Sequence, residues 1–258
     1  MDLIARLRAE APGFWLALQF LTRLRLPFEV AHSAELMGRT PRWYPAVGVM
    51  VGAVTGLMYA GAALIFSPVV AVLISTVGGI VLTGALHEDG FADACDGLGG
   101  ARPAERVLEI MRDSRLGTYG ALGLGLMVAG KVAVLAALPG AAVPLVLIAG
   151  HAASRGAMLW VMASSHYVRG QGLASTVSQG VDQRTVVVGL ITCALALLPL
   201  LFVVPFGAVL AGLAGLIAGH YAMRHRFETR LGGYTGDCLG AVQQCSEIGF
   251  YLGVLALI

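Results

Sequence analysis

Eighteen consecutive residues, Val69 to Leu86, carry no charged side chain, and the nine that follow His87 hold four carboxylates, Glu88, Asp89, Asp93 and Asp96. An uncharged run of that length and apolarity spans a hydrocarbon core as a helix. In lipid the backbone has to satisfy its own hydrogen bonds, so the chain is committed to helices. The acids then stand where the chain leaves the membrane. On a continuing helix Asp89, Asp93 and Asp96 fall at i, i+4 and i+7 and share one face. Three like charges on one face repel unless a cation sits among them. Hard carboxylate oxygens suit Mg²⁺, Mn²⁺ or Ca²⁺. Mg²⁺ held by a few carboxylates, with positions left for phosphate oxygens, serves phosphoryl-group chemistry. A solvated acidic helix end is the plainer reading, and the membrane flank and the neighbouring glycines weigh against it.

Further apolar runs repeat the pattern. Hydrophobic residues make up 57% of the 258-residue chain and the mean hydropathy is +0.80, above the composition of soluble domains. The spans expected are Pro45 to Phe66, Pro68 to Leu86, Tyr119 to Leu138, Ala142 to Ala163, Val186 to Val204, Phe206 to Met223 and Asp237 to Ile258. Each has the length that about 30 Å of hydrocarbon requires. Phe14 to Phe28 is shorter and carries Arg23 and Arg25, which reads as an amphipathic segment at the interface. The fold class expected is therefore all-α: a polytopic membrane bundle of about seven helices plus this N-terminal segment, forming one domain over residues 1–258. Met1 to Pro12 shows no signal-peptide pattern, and the four cysteines show no CxxC pair and are expected to be free thiols. A net charge of +2 implies no nucleic-acid surface.

Seventeen Lys and Arg residues fix an orientation. Lys131 and Arg155 lie inside spans. The other fifteen fall in the N-terminal region or the three long polar segments His87 to Thr118, Ser164 to Thr185 and Arg224 to Gly236. By the positive-inside rule these are cytoplasmic, and nearly every polar group gathers on that face.

Three further clusters carry chemistry. Glu109-Ile110-Met111-Arg112-Asp113-Ser114-Arg115-Leu116-Gly117-Thr118-Tyr119-Gly120 offers Arg112 and Arg115 for phosphate oxygens and Asp113 as a further metal ligand or a base. Its Leu116 to Gly120 stretch offers backbone N–H groups to an anion as a span begins. An ordinary positive-inside flank is the rival explanation. Lys131 and Arg155 are charges at membrane depth and are expected to face a polar cavity; His151, one turn from Arg155, reads equally as a satisfied core histidine. Arg155 has the alternative of snorkelling to the interface. The last cluster, Asp237 to Glu247, sets Asp237, Gln244 and Glu247 at helical spacing and makes Gln243 and Glu247 an i, i+4 pair. A polar helix-contact seam explains it equally simply.

Together these residues resemble the cobalamin synthase family, also called cobalamin 5′-phosphate synthase or adenosylcobinamide-GDP ribazoletransferase. The resemblance rests on His87-Glu88-Asp89-Gly90-Phe91-Ala92-Asp93, on Asp96-Gly97-Leu98-Gly99-Gly100, on the Glu109 to Gly120 block, on Gly236-Asp237-Cys238-Leu239-Gly240-Ala241 with Gln243-Gln244, and on Phe20-Leu21-Thr22-Arg23. It implies a multi-pass enzyme of the bacterial cytoplasmic (inner) membrane with its active site facing the cytoplasm. Such an enzyme joins adenosylcobinamide-GDP to α-ribazole or α-ribazole 5′-phosphate, gives adenosylcobalamin or its 5′-phosphate and GMP, and uses Mg²⁺. The lipid bilayer is its surroundings, and the resemblance leaves room for a homo-oligomer and for contacts with other cobalamin-pathway enzymes. The chain is also similar in chemistry to the CDP-alcohol phosphotransferases. It has Asp93-Ala94-Cys95-Asp96-Gly97, but Ala101-Arg102 is displaced by one residue and the distal acidic half of that signature is absent. That departure argues against a phospholipid synthase.

Breaking a diphosphate and passing its phosphoryl-linked group to an alcohol needs a metal, cations for the leaving phosphate and a base for the hydroxyl. Asp89, Asp93 and Asp96 are assigned to Mg²⁺, with Glu88 beside them or acting as base. Asp113 is a further ligand candidate, and Asp237 orients the acceptor or completes the metal site. Arg112, Arg115, Lys131 and Arg155 are the phosphate candidates, and Gln244 joins the substrate-binding set. Two other classes compete: a transporter, opposed by acids that crowd one face and by the lack of matching halves, and a non-catalytic scaffold, which leaves the acidic cluster unexplained.

Overall fold

The computed structural model describes residues 3–30, 32–100, 103–170, 176–177 and 180–258, with the side chains of residues 3–9 outside that description. Ala101-Arg102 lie outside it as well. Among the described residues the regular structure is helical: α1 Leu3–Leu21, α2 Ala34–Arg39, α3 Tyr44–Ala62, α4 Pro68–Thr83, α5 Leu86–Gly100, α6 Ala104–Ile110, α7 Thr118–Ala137, α8 Val143–Ser164, α9 Gln183–Leu197, α10 Phe206–Leu231 and α11 Gly236–Leu255. Single 3₁₀ turns follow α2 and α9. One isolated bridge joins Tyr167 to Tyr234.

The helix ends follow local chemistry. Asp182 accepts from the Thr185 N–H at 2.7 Å and starts α9; Thr235 accepts from the Cys238 N–H at 3.3 Å and starts α11. Both are side-chain N-caps, which satisfy a donor that the helix itself leaves unpaired. Gly232, at φ 69°, closes α10 in the left-handed conformation. The helix therefore runs eight residues past the expected Met223 boundary, and most of the polar segment expected from Arg224 to Gly236 is helical.

Five helical runs are long and apolar enough to cross a membrane: Ala34–Ala62, Thr118–Ala137, Val143–Ser164, Gln183–Phe202 and Phe206–Leu231. Counting the bent pair α4 and α5 as one broken span makes six. The expected total was about seven, and the two remaining spans fall short for identifiable reasons. Helix α4 has 16 residues, about 24 Å at 1.5 Å per residue. Helix α11 has the length, 20 residues, but its polar residues lower its hydropathy. It lies within the bundle, with Gln243, Gln244, Ser246 and Glu247 all buried.

The second expected span does not continue straight through Gly90. It stops at Thr83; Gly84 and Ala85 take positive φ of 66° and 59°, and α5 leaves at 90° to α4. The acidic stretch is thus a helix of its own, turned away from the membrane-crossing direction of α4.

Small residues bring the bundle together. A methyl group on Gly215 of α10 would lie 2.0 Å from the Gly249 carbonyl oxygen of α11, and one on Gly48 of α3 would lie 2.3 Å from the His151 carbonyl oxygen of α8. Such backbone contact is the usual basis of helix association in lipid. Large apolar side chains such as Leu57, Val81, Leu126 and Phe202 point outward and are exposed, as a lipid-facing surface requires.

Candidate active site

Helices α5 and α11 cross at Gly90, against the Asp237 backbone. The crossing places Asp237, in the first turn of α11, beside Asp89 and Asp93 on α5. Asp93 is half-buried, and its carboxyl is pushed up to about 7, first by burial and then by the like charges of Asp237 and Asp89, against the opposing Arg169. Arg169 pairs with Asp237 at 2.7 Å and donates to the Met111 carbonyl oxygen at 3.4 Å. It therefore ties the segment after α8, the turn after α6 and the start of α11 to one point. A cavity of about 160 Å³ adjoins them, lined by Asp89, Gly90 and Asp237 and by Tyr44, Met158, Met162 and Tyr167. It offers a mostly apolar wall next to a cluster of carboxylates.

Asp96 stands apart from the expected metal set. Its two oxygens accept from the Gly117 and Gly120 N–H groups, both at 2.8 Å, at the N-terminus of α7. The backbone groups expected to meet an external anion there meet the chain's own carboxylate instead. Charge at a helix N-terminus is favourable, which accounts for the arrangement. Among the described residues no group of three His, Cys, Asp or Glu side chains is assembled to hold a metal ion. The donor chemistry around Asp93 nonetheless fits a hard divalent cation. Asp89, Asp93 and Asp237 carry only oxygen donors, and a cation would relieve the repulsion of Asp237 and Asp89 on Asp93.

A second polar cluster lies inside the bundle, on the other side of the first turn of α5. Glu247 is 2% exposed and Lys131 6%, and they pair at 2.6 Å. Lys131 Nζ also donates to Gln244 Oε1 at 2.6 Å. Gln243 Nε2 donates to Glu247 Oε2 at 2.6 Å and to Ser154 Oγ at 2.9 Å. His151 Nδ1 lies 2.9 Å from Glu247 Oε2, and Arg155 donates to the His151 carbonyl oxygen at 3.0 Å. Gln244 Nε2 reaches Glu88 Oε1 at 3.0 Å. These groups line a cavity of about 40 Å³. Lys131 and Arg155 do face a polar cavity, as expected, and Arg155 does not snorkel, being 1% exposed. His87 borders both cavities, so the first turn of α5 is the partition between them: Glu88 lines the interior cavity and Asp89 the other.

The Glu109 to Gly120 block divides differently. Asp113 accepts from Arg115 through both carboxylate oxygens, at 3.0 and 2.6 Å. Those bonds hold its carboxyl down at about 2. Arg112 is exposed. The structure thus commits Asp113 and Arg115 to each other. Arg169 is the residue the sequence reading passed over. It is one of two basic residues in its polar segment, where an arginine is also a plain positive-inside flank, and only the fold shows its carboxylate partner.

Residues 13–255 match the family model described as Cobalamin-5-phosphate synthase. Curated relatives carrying the name adenosylcobinamide-GDP ribazoletransferase include those of Leptothrix cholodnii, 39% identical over 262 residues and 98% of each chain, and of Ralstonia nicotianae, 37% identical over 252 residues and 95% of each chain. That of Vibrio cholerae is 36% identical over 256 residues, 98% of this chain and 97% of the relative. No solved structure matches.

Proposed function

The chain belongs to the Cobalamin-5-phosphate synthase family, and from that premise we propose that it is a membrane transferase joining adenosylcobinamide-GDP to α-ribazole or α-ribazole 5′-phosphate. The observation that carries this reading is the crossing of α5 and α11, which gathers Asp89, Asp93, Asp237 and Arg169, with Asp89 and Asp237 lining a cavity. The ribazole hydroxyl attacks the phosphorus on the cobinamide side of the diphosphate, its proton passes to a base, and GMP leaves.

Asp89 and Asp93, with Asp237, are the residues that would hold Mg²⁺. A divalent cation held by them would neutralise diphosphate charge. Glu88, in the same helical turn as Asp89, faces the interior cavity and stands behind this site, and a carboxylate on the Asp89 side takes the hydroxyl proton. Arg169 is held by Asp237 and, with the exposed Arg112, meets the leaving phosphate. Arg115 and Asp113 shape the loop that carries Arg112. The apolar wall of Tyr44, Met158, Met162 and Tyr167 takes uncharged parts of the substrates. The whole chain acts as one catalytic domain in the cytoplasmic membrane, with this site on the cytoplasmic side, where the basic residues lie.

The test is GMP release by the purified protein given both substrates and Mg²⁺. Release that stops when the acceptor or Mg²⁺ is withheld supports the reading. GMP that appears without the acceptor, or none with the full mixture, overturns it.

A further inference from the structure

The segment after α8 is pinned to the start of α11 by the isolated bridge between Tyr167 and Tyr234. Tyr234 N donates to the His166 carbonyl oxygen at 2.9 Å, and Val168 N donates to the Tyr234 carbonyl oxygen at 3.0 Å. Alternate residues of an extended segment point the same way. Arg169 reaches Asp237 at 2.7 Å, and Tyr167, two residues before it, lines the cavity that Asp237 also lines. The Tyr167 ring is braced edge-on by Tyr234, with centroids 5.7 Å apart. Met158 and Met162 stand one turn apart on α8, are 5% and 6% exposed, and line the same cavity. Its wall therefore joins a fixed aromatic ring to two adaptable thioethers. The carboxylates of Asp89 and Asp237 enter from the crossing of α5 and α11.

The substrates differ in what they could place here. A cavity of about 160 Å³ is smaller than the roughly 300–1,000 Å³ that enclose a drug-sized ligand. It takes a fragment, and a corrin macrocycle does not enter it. Guanine, the other ring of the donor, carries a carbonyl, an amino group and N–H groups on its edge. Against methionine these would go unpaired, at a cost in binding. The base of the acceptor is a two-ring aromatic with no exocyclic amino or carbonyl group. The ribose attached to it carries the hydroxyl that has to reach the carboxylates. One pose satisfies both needs, with the ring against Met158, Met162 and Tyr167 and the ribose toward Asp89 and Asp237.

We propose that this cavity is the pocket for the aromatic base of the acceptor, and that Met158 and Met162 set the size of ring it takes. The proposal rests on the transferase reading and assigns the acceptor, and neither ring of the donor, to this part of the site. The bridge at Tyr167 then has a purpose in a helical protein: it fixes one wall of the base pocket and, two residues on, the arginine that holds Asp237.

The experiment uses the full chain in liposomes with adenosylcobinamide-GDP, α-ribazole and Mg²⁺. GMP release is followed at varied donor and acceptor, with thermal unfolding of each variant as the folding control. Met158→Trp narrows the pocket and should raise the acceptor KM at least about tenfold while the donor KM stays within about twofold. Met162→Ala widens it. An α-riboside with a third fused ring should then gain at least about tenfold in kcat/KM relative to α-ribazole, compared with the parent. A folded Met158→Trp with the acceptor KM of the parent overturns the proposal, as does a raised donor KM in that variant or an unchanged preference in Met162→Ala. Should one variant fail to fold, the other decides. GMP release by the parent leaves the transferase reading standing whichever way these turn. If the parent releases none, that reading falls, and equilibrium dialysis of α-ribazole against the parent and Met158→Trp tests the pocket by itself. Binding weakened at least about tenfold in the variant supports the pocket; equal binding, or none to the parent, overturns it.

Discussion

Gly90 of α5 packs directly on Asp237 of α11: a methyl group at Gly90 would come within 3.0 Å of the Asp237 Cα and 3.1 Å of its carbonyl oxygen. The space over this glycine is taken by the start of α11. Gly90→Ala gains about 1 kcal/mol of helix propensity and still has to push Asp237 away by a few tenths of an ångström. Activity should fall at least about tenfold, with little change in the amount of folded membrane protein. GMP release per folded molecule is the measurement, and parent-like turnover would show that the crossing tolerates the shift.

The four aspartates around this crossing should separate into two classes. Asp89→Asn, Asp93→Asn and Asp237→Asn each remove a charged oxygen ligand at nearly constant size. Each should cost about 100-fold or more in turnover and raise the Mg²⁺ concentration needed. Asp96→Asn should behave otherwise, since Asp96 accepts from Gly117 and Gly120. It should cost about 1–2 kcal/mol of stability at the α7 N-terminus and leave the Mg²⁺ requirement of the folded fraction unchanged. Asp182→Asn is the control, because asparagine also caps a helix. A shifted Mg²⁺ requirement in Asp96→Asn would return Asp96 to the metal set.

Periodicity and charge carried much of this organisation, because lipid penalises unpaired backbone and stray charge at every position. The acidic stretch, the Gln243–Glu247 pair and the buried setting of Lys131 and Arg155 were legible for that reason. Two things were not. The turn at Gly84 and Ala85 was hidden because neither residue breaks an apolar run, so α4 and α5 looked like one helix. Partner choice was hidden as well. Asp96 and Asp89 look alike in sequence, and only the return of α7 shows that Asp96 binds the chain itself; likewise Arg169 gains meaning only beside Asp237.

The Lys131–Glu247 pair makes a quantitative contrast. Lys131→Met leaves a buried carboxylate without its ammonium and should destabilise the protein by about 3–5 kcal/mol. Adding Glu247→Gln removes the lone charge, so the double variant should recover most of that loss and show a coupling of at least about 2 kcal/mol. Thermal or denaturant unfolding in detergent reads both. Simple addition of the two single effects would mean that the pair contributes nothing specific.

Orientation can be tested at two glycines. Gly140 lies in the tight turn between α7 and α8, and Gly170 in the polar segment after α8; both are exposed. Among the described residues no atom lies within 4 Å of where a Gly170 side chain would start. The positive-inside rule puts Gly170 in the cytoplasm, because Arg169 and Arg184 flank its segment while the turn at Gly140 carries no basic residue. The native cysteines at 95, 193, 238 and 245 are free thiols, all buried or half-buried, and should react slowly. A membrane-impermeant thiol reagent applied to intact cells should therefore label Gly140→Cys and spare Gly170→Cys until the membrane is opened. The reverse pattern would turn the carboxylates of α5 to the outer face, and equal labelling of both would place the two ends of α8 on one side.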